Sequence, residues 1–130
     1  MHKKGILVTV LIILTLSLTT VIFAGCSVRA QVEAKTKVKM GAADFIDKKV
    51  EIKKGEAITL VNAVPSTHYI SNGTWDNGKA KPMSEPNAPT LSAVAVSGTG
   101  SITVGPFNQA GEFKYYCTIH PNMNLTVVVK

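Results

Sequence analysis

Cysteine and histidine are scarce in this chain, and the scarcity excludes whole classes of chemistry. Of 130 residues, two are Cys and three are His. Cys26 and His2 lie in or beside a basic-then-apolar N-terminal stretch, which leaves Cys117, His68 and His120 for any folded part. A binuclear thiolate-bridged centre needs two Cys, and an oxygen- or nitrite-activating metal site needs additional His. Structural zinc needs four strong ligands, and the eight carboxylates are not near the remaining Cys and His. A Cys/His hydrolase needs its thiolate exposed in a cleft with an oxyanion hole, whereas Cys117 ends an apolar strand face. Aromatic residues are 6% of the chain and do not interleave with clustered basic residues, so a nucleic-acid surface is excluded. After Cys26 no segment holds helical periodicity over three turns.

What the N-terminus does contain is an export signal. His2, Lys3 and Lys4 precede an apolar run from Ile6 to Ala24, followed by Ala24-Gly25-Cys26-Ser27. That ending resembles the lipobox of bacterial lipoproteins, with Cys26 as the lipid-bearing residue, although Phe23 replaces the usual Leu. The run is also near bilayer-spanning length, so an uncleaved anchor is the alternative. Either form places the folded part outside the cytoplasm on a membrane. The expected organisation is a signal over 1–25, a polar tether over 26–36 and one domain over 37–130. Losing Lys3 and Lys4 leaves 12 basic against 8 acidic residues, a mildly basic balance that suits a solvated exterior. With Cys26 lipidated, Cys117 is a lone thiol in an oxidising compartment, a liability unless a metal occupies it.

The rest reads as strands. Lys35, Lys37 and Lys39 alternate with Thr36, Val38 and Met40, which also guards a terminal strand against edge pairing. Val50 and Ile52, the turn Lys54-Gly55-Glu56, and Ile58 to Val61 read as a hairpin. Ser101 to Val104 is a strand, and in Glu112 to Cys117 the residues Phe113, Tyr115 and Cys117 share one face. Leu125, Val127 and Val129 repeat the alternation. Ala63 to Pro89, rich in Asn, Gly and Pro, reads as a long loop carrying His68 near its start, with Trp75 anchoring it to the core. The expected fold is an all-β, antiparallel Greek-key β-sandwich.

The chemistry gathers in Tyr115-Tyr116-Cys117-Thr118-Ile119-His120-Pro121-Asn122-Met123. Thiolate, imidazole and thioether fall within seven positions, and His68 is the remaining imidazole that the folded part can add. Two His, one Cys and a long axial Met are the ligands of a mononuclear electron-transfer copper site.

Cys-x2-His-x2-Met, entered from an aromatic strand and followed by an apolar one, resembles the copper loop of the blue copper proteins, the plastocyanin/azurin (cupredoxin) family. The short spacing is most similar to amicyanin. The resemblance implies that His68, Cys117, His120 and Met123 bind one Cu(I)/Cu(II) ion. Family members often carry Asn directly after the first His, tying the ligand loops together, whereas Tyr69 stands here. The Tyr69 N–H remains able to donate to the Cys117 sulfur. The implied protein is no enzyme but a membrane-tethered electron carrier, monomeric, exchanging electrons with redox proteins at the His120 edge beside Pro65, Ile119 and Pro121. The alternative is a copper-sequestering or copper-delivery lipoprotein, against which the isolation of Met40 and Met83 counts.

Overall fold

A computed structural model describes residues 34–130, so the signal and lipidation readings, with Cys26, lie outside the described residues. These residues form nine strands: β1 Thr36–Met40, β2 Lys49–Ile52, β3 Ile58–Asn62, β4 Ser66–Asp76, β5 Lys79–Pro82, β6 Val94–Gly98, β7 Ser101–Val104, β8 Gly111–Cys117 and β9 Asn124–Val129. Among the described residues there is no helix, and hence none long and apolar enough to cross a membrane.

Two sheets make a sandwich. One has the order β1-β3-β7; the other runs β2-β9-β8-β4, with β5 and β6 both paired to β4. Period-two alternation dictates which side chains fill the space between them. Val38 and Met40 are fully buried while Lys37 and Lys39 face solvent, and β9 buries Leu125, Val127 and Val129. Phe45, Ile58, Leu60, Ile70, Phe107, Phe113 and Tyr115 complete the core, with Phe107 and Phe113 tilted at a 5.7 Å centroid separation.

Three expectations change. The segments around Val50 and Ile58 do not form a hairpin: β2 pairs with β9, and β3 pairs with β1 and β7. The Lys53-Lys54-Gly55 turn instead carries the chain from one sheet to the other, because both strands bury one face against the same core. Those pairings also make the sandwich mixed, since β1–β3 and β2–β9 are parallel. Finally, the stretch after Ala63 is not a long loop. It contains the eleven-residue β4, which turns at Asn77-Gly78 into β5. Asn77 and Gly78 have φ of 49° and 74°, the left-handed pair that a two-residue hairpin requires.

Candidate metal centre

The β8–β9 ladder ends at Tyr116 opposite Asn124, so Cys117 to Met123 closes the hairpin. The loop fixes itself through its backbone. Cys117 N–H donates to the Met123 carbonyl at 3.1 Å, and Met123 N–H to the His120 carbonyl at 3.2 Å. Asn122 takes φ 63°, a conformation that Asn tolerates better than most residues. Cys117 and Met123 are fully buried, and His120 is half-buried.

The upstream His arrives on β4. Ile70 lies directly opposite Cys117, and His68 is two residues back on the same inward face. Its ring therefore reaches beyond the end of β8, over the loop. His68 Nδ1 stands 3.2 Å from His120 Nδ1, which in turn stands 3.4 Å from Cys117 Sγ. The two rings meet edge to face at 4.9 Å, and the three donor atoms lie within 4.8 Å of one another. Met123 stands at the other end of the loop, its side chain fully buried.

Neighbouring groups orient this set. His68 Nε2 lies 3.0 Å from the Gly41 carbonyl and 2.8 Å from Ser66 Oγ. Burial holds the His68 imidazolium below the ordinary histidine range; the Gly41 carbonyl opposes this and the neighbouring His120 adds to it. Tyr69 N–H donates to Cys117 Sγ at 3.4 Å, and the Tyr69 carbonyl accepts from Thr118 N–H at 2.8 Å. The Tyr69 backbone thereby links the two ligand-bearing segments.

Several supporting residues have roles beyond what the sequence signals. Trp75 does more than anchor its own segment: Nε1–H donates to the Cys117 carbonyl at 2.8 Å, and the indole meets Tyr116 edge-on at 6.1 Å. Asn124 holds that Trp in register. Its Oδ1 accepts from Trp75 N–H at 2.7 Å and its Nδ2 donates to the Trp75 carbonyl at 3.0 Å. Asn62 Nδ2 reaches the carbonyls of Ser66, Val96 and Gly98 at 3.0, 3.3 and 2.8 Å, pinning the turn that leads into His68.

The donor set fits copper. Two imidazole nitrogens and a cysteine sulfur converge, the thioether of buried Met123 ends the same loop, and the outer nitrogen of one ring is already engaged. Outside it, Val64, Ile119, Pro65 and Pro121 are exposed, the first two at 39% and 50%.

Comparison with known proteins agrees with this chemistry. Among solved structures, amicyanin from Paracoccus versutus (Thiobacillus versutus) is 22% identical, aligned over 78% of this chain and 86% of that one, with a TM-score of 0.56. A purple cupredoxin from Nitrosopumilus maritimus is 19% identical over 73% of this chain and 99% of that one, also at 0.56. At these identities the likeness is one of fold. No curated protein matches the chain. Residues 32–130, however, match the family described as copper binding proteins, plastocyanin/azurin family, and the match spans most of the sequence. With the converging His, Cys and His in place, the chain belongs to the plastocyanin/azurin family of copper-binding proteins.

Proposed function

We propose that the chain is an extracytoplasmic, membrane-tethered carrier of single electrons, attached through a lipid on Cys26. His68, Cys117, His120 and Met123 hold its copper. The observation that carries this reading is the convergence of His68 Nδ1, His120 Nδ1 and Cys117 Sγ at 3.2 and 3.4 Å. Copper, when bound, supplies a one-electron couple between its Cu(I) and Cu(II) states.

The protein's part is to keep the donors still. Cys117 and Met123 offer sulfur that favours Cu(I), and the imidazoles accept either state. Gly41 and Ser66 fix the His68 ring, and Tyr69 and Trp75 fix Cys117 from both sides. Donors held this way need not move when one electron enters or leaves, so the reorganisation that would slow transfer is small. Four protein donors leave no position for a substrate, which supports a carrier over an enzyme. His120, half-buried among exposed Val64, Pro65, Ile119 and Pro121, offers the edge at which a redox partner protein docks.

The copper-loaded protein should be intensely coloured when oxidised, with Cys117→Ser removing colour and redox activity together. A colourless but folded copper complex of the wild-type protein would overturn the reading. His120→Gly should slow electron exchange in voltammetry far more than it lowers the melting temperature.

A further inference from the structure

The strand pairings give the domain two chemically different ends. Met40, Asn62 and Cys117 all terminate their strands beside the metal centre: Met40 pairs with Asn62, and the Gly41 carbonyl touches His68. The opposite end gathers the start of β1, the turn before β3 and the end of β9. Thr36 pairs with Ile58 in parallel, which sets Lys35 beside the Lys53-Lys54 turn. Lys54 N–H donates to the Lys130 carbonyl, closing the same pole. The seven residues of β8 separate the two ends by about 20 Å.

Charge is unevenly divided between those ends. Lys35, Lys37, Lys53 and Lys54 are all exposed, and among the described residues none forms an ion pair. Of the nearby carboxylates, Glu51 is paired with Lys130 Nζ at 2.6 Å, and Glu56 accepts from the Lys53 backbone N–H at 2.9 Å, so one negative charge stands against the four ammonium groups. The metal end has Lys48 paired with Asp44 and Lys81 with Asp76, and its remaining exposed lysines, Lys39 and Lys79, are set apart on β1 and β5. It also exposes the apolar Val64 and Ile119. The row of lysines on β1 protects an edge strand, but edge protection does not call for the further pair at 53 and 54 on a different segment.

We propose that this lysine pole is a docking surface for an anionic lipid bilayer. The inference rests on the membrane-tether reading and adds an orientation to it. Residue 34 enters the domain at this pole, so an anchored chain delivers these four ammonium groups to the headgroups first. Attraction to a charged leaflet fades within roughly one Debye length, about 8 Å, so it acts on this end and not on the metal end. His120 then faces away from the membrane, toward partners in the aqueous compartment. Acidic protein partners are the other occupant of such a patch; they would contact the lysines without any requirement for lipid.

The test uses the full chain, mixed with vesicles of phosphatidylcholine alone or with added phosphatidylglycerol, followed by flotation and lysine-acetylation footprinting. Flotation with neutral vesicles is expected from the tether. In the anionic vesicles Lys35, Lys37, Lys53 and Lys54 should be acetylated roughly fivefold more slowly than in neutral ones. Lys79 and Lys81, near the metal end, should be unchanged, and high salt should erase the difference. Changing the four lysines together to Gln should leave flotation with neutral vesicles intact and abolish the lipid-dependent difference between poles. Equal labelling of both poles on anionic vesicles, or protection at Lys79 and Lys81 instead, overturns the surface while leaving the tether standing. Flotation with anionic vesicles alone, with the expected footprint, overturns the tether and keeps the surface. Flotation with neither class overturns both.

Discussion

His68 Nε2 lies 3.0 Å from a backbone carbonyl that can only accept, so the ring proton belongs on Nε2 and Nδ1 keeps its lone pair for the metal. Ser66 Oγ shares that nitrogen at 2.8 Å. Ser66→Ala therefore removes one of two restraints without opening a cavity. Copper affinity should fall roughly tenfold, the low end for loss of an outer partner, while the thermal stability of the copper-free protein barely moves; competition with a chelator measures it. Met123→Gln acts on a different property. Copper stays bound, but an oxygen donor in place of sulfur favours Cu(II), and each tenfold bias lowers a one-electron potential by about 59 mV. Voltammetry that finds an unchanged potential would make Met123 a packing residue alone. The ligand candidates were legible because thiolate, imidazole and thioether are rare residue types crowded into seven positions. Ser66, Gly41 and Asn124 were not, because a hydroxyl, a backbone carbonyl and an ordinary amide have nothing in their spacing to mark them, and Trp75 was legible as an anchor but not as a partner of the Cys117 carbonyl.

At the scale of elements, β4 carries the most structure and was the hardest to read. Its inward face is Ser66, His68, Ile70 and Asn72, of which Ile70 alone is apolar, so the alternation does not look hydrophobic. Buried polar groups take the place of apolar ones because each has a partner: Asn72 Oδ1 accepts from Leu91 N–H, and its Nδ2 donates to the Pro89 carbonyl. The strands that were legible bury mostly apolar side chains at alternate positions: Val38 and Met40 on β1, Ile58 and Leu60 on β3, Phe113, Tyr115 and Cys117 on β8, and Leu125, Val127 and Val129 on β9. Gly73 illustrates how tightly β4 meets β5. At φ 130° an added Cβ would sit 2.3 Å from the Lys81 carbonyl oxygen, whereas at Gly78 it would meet nothing. Gly78→Ala should cost about 1–2 kcal/mol for its left-handed backbone. Gly73→Ala should cost roughly 1–3 kcal/mol more, because neither backbone can yield to the clash. Urea denaturation of both variants checks the difference. Loss of the Asn124 amide, which spans Trp75 with two hydrogen bonds, should cost about 1–3 kcal/mol in the same measurement.

For the whole molecule, the centre joins parts of the chain that meet after folding. His68 comes from β4, forty-nine positions before Cys117, and the other donors come from the β8–β9 turn. An unfolded chain offers at most the local trio, so copper binds the native state far more tightly than the denatured one. Ligation of that kind stabilises by about 4 kcal/mol when free metal exceeds its dissociation constant a thousandfold, less whatever the unfolded trio retains. For a domain of about 100 residues each kcal/mol moves the melting temperature by roughly 4–8 °C. Stripping copper with a chelator should therefore lower the melting temperature by roughly 15–30 °C, as read by calorimetry, with the apo chain still unfolding cooperatively around its Phe45, Phe107 and Tyr115 core. In Cys117→Ser most of that difference should vanish, since the remaining imidazoles and thioether hold the ion weakly. A melting temperature indifferent to copper in the wild-type chain would mean that the converging donors do not bind it.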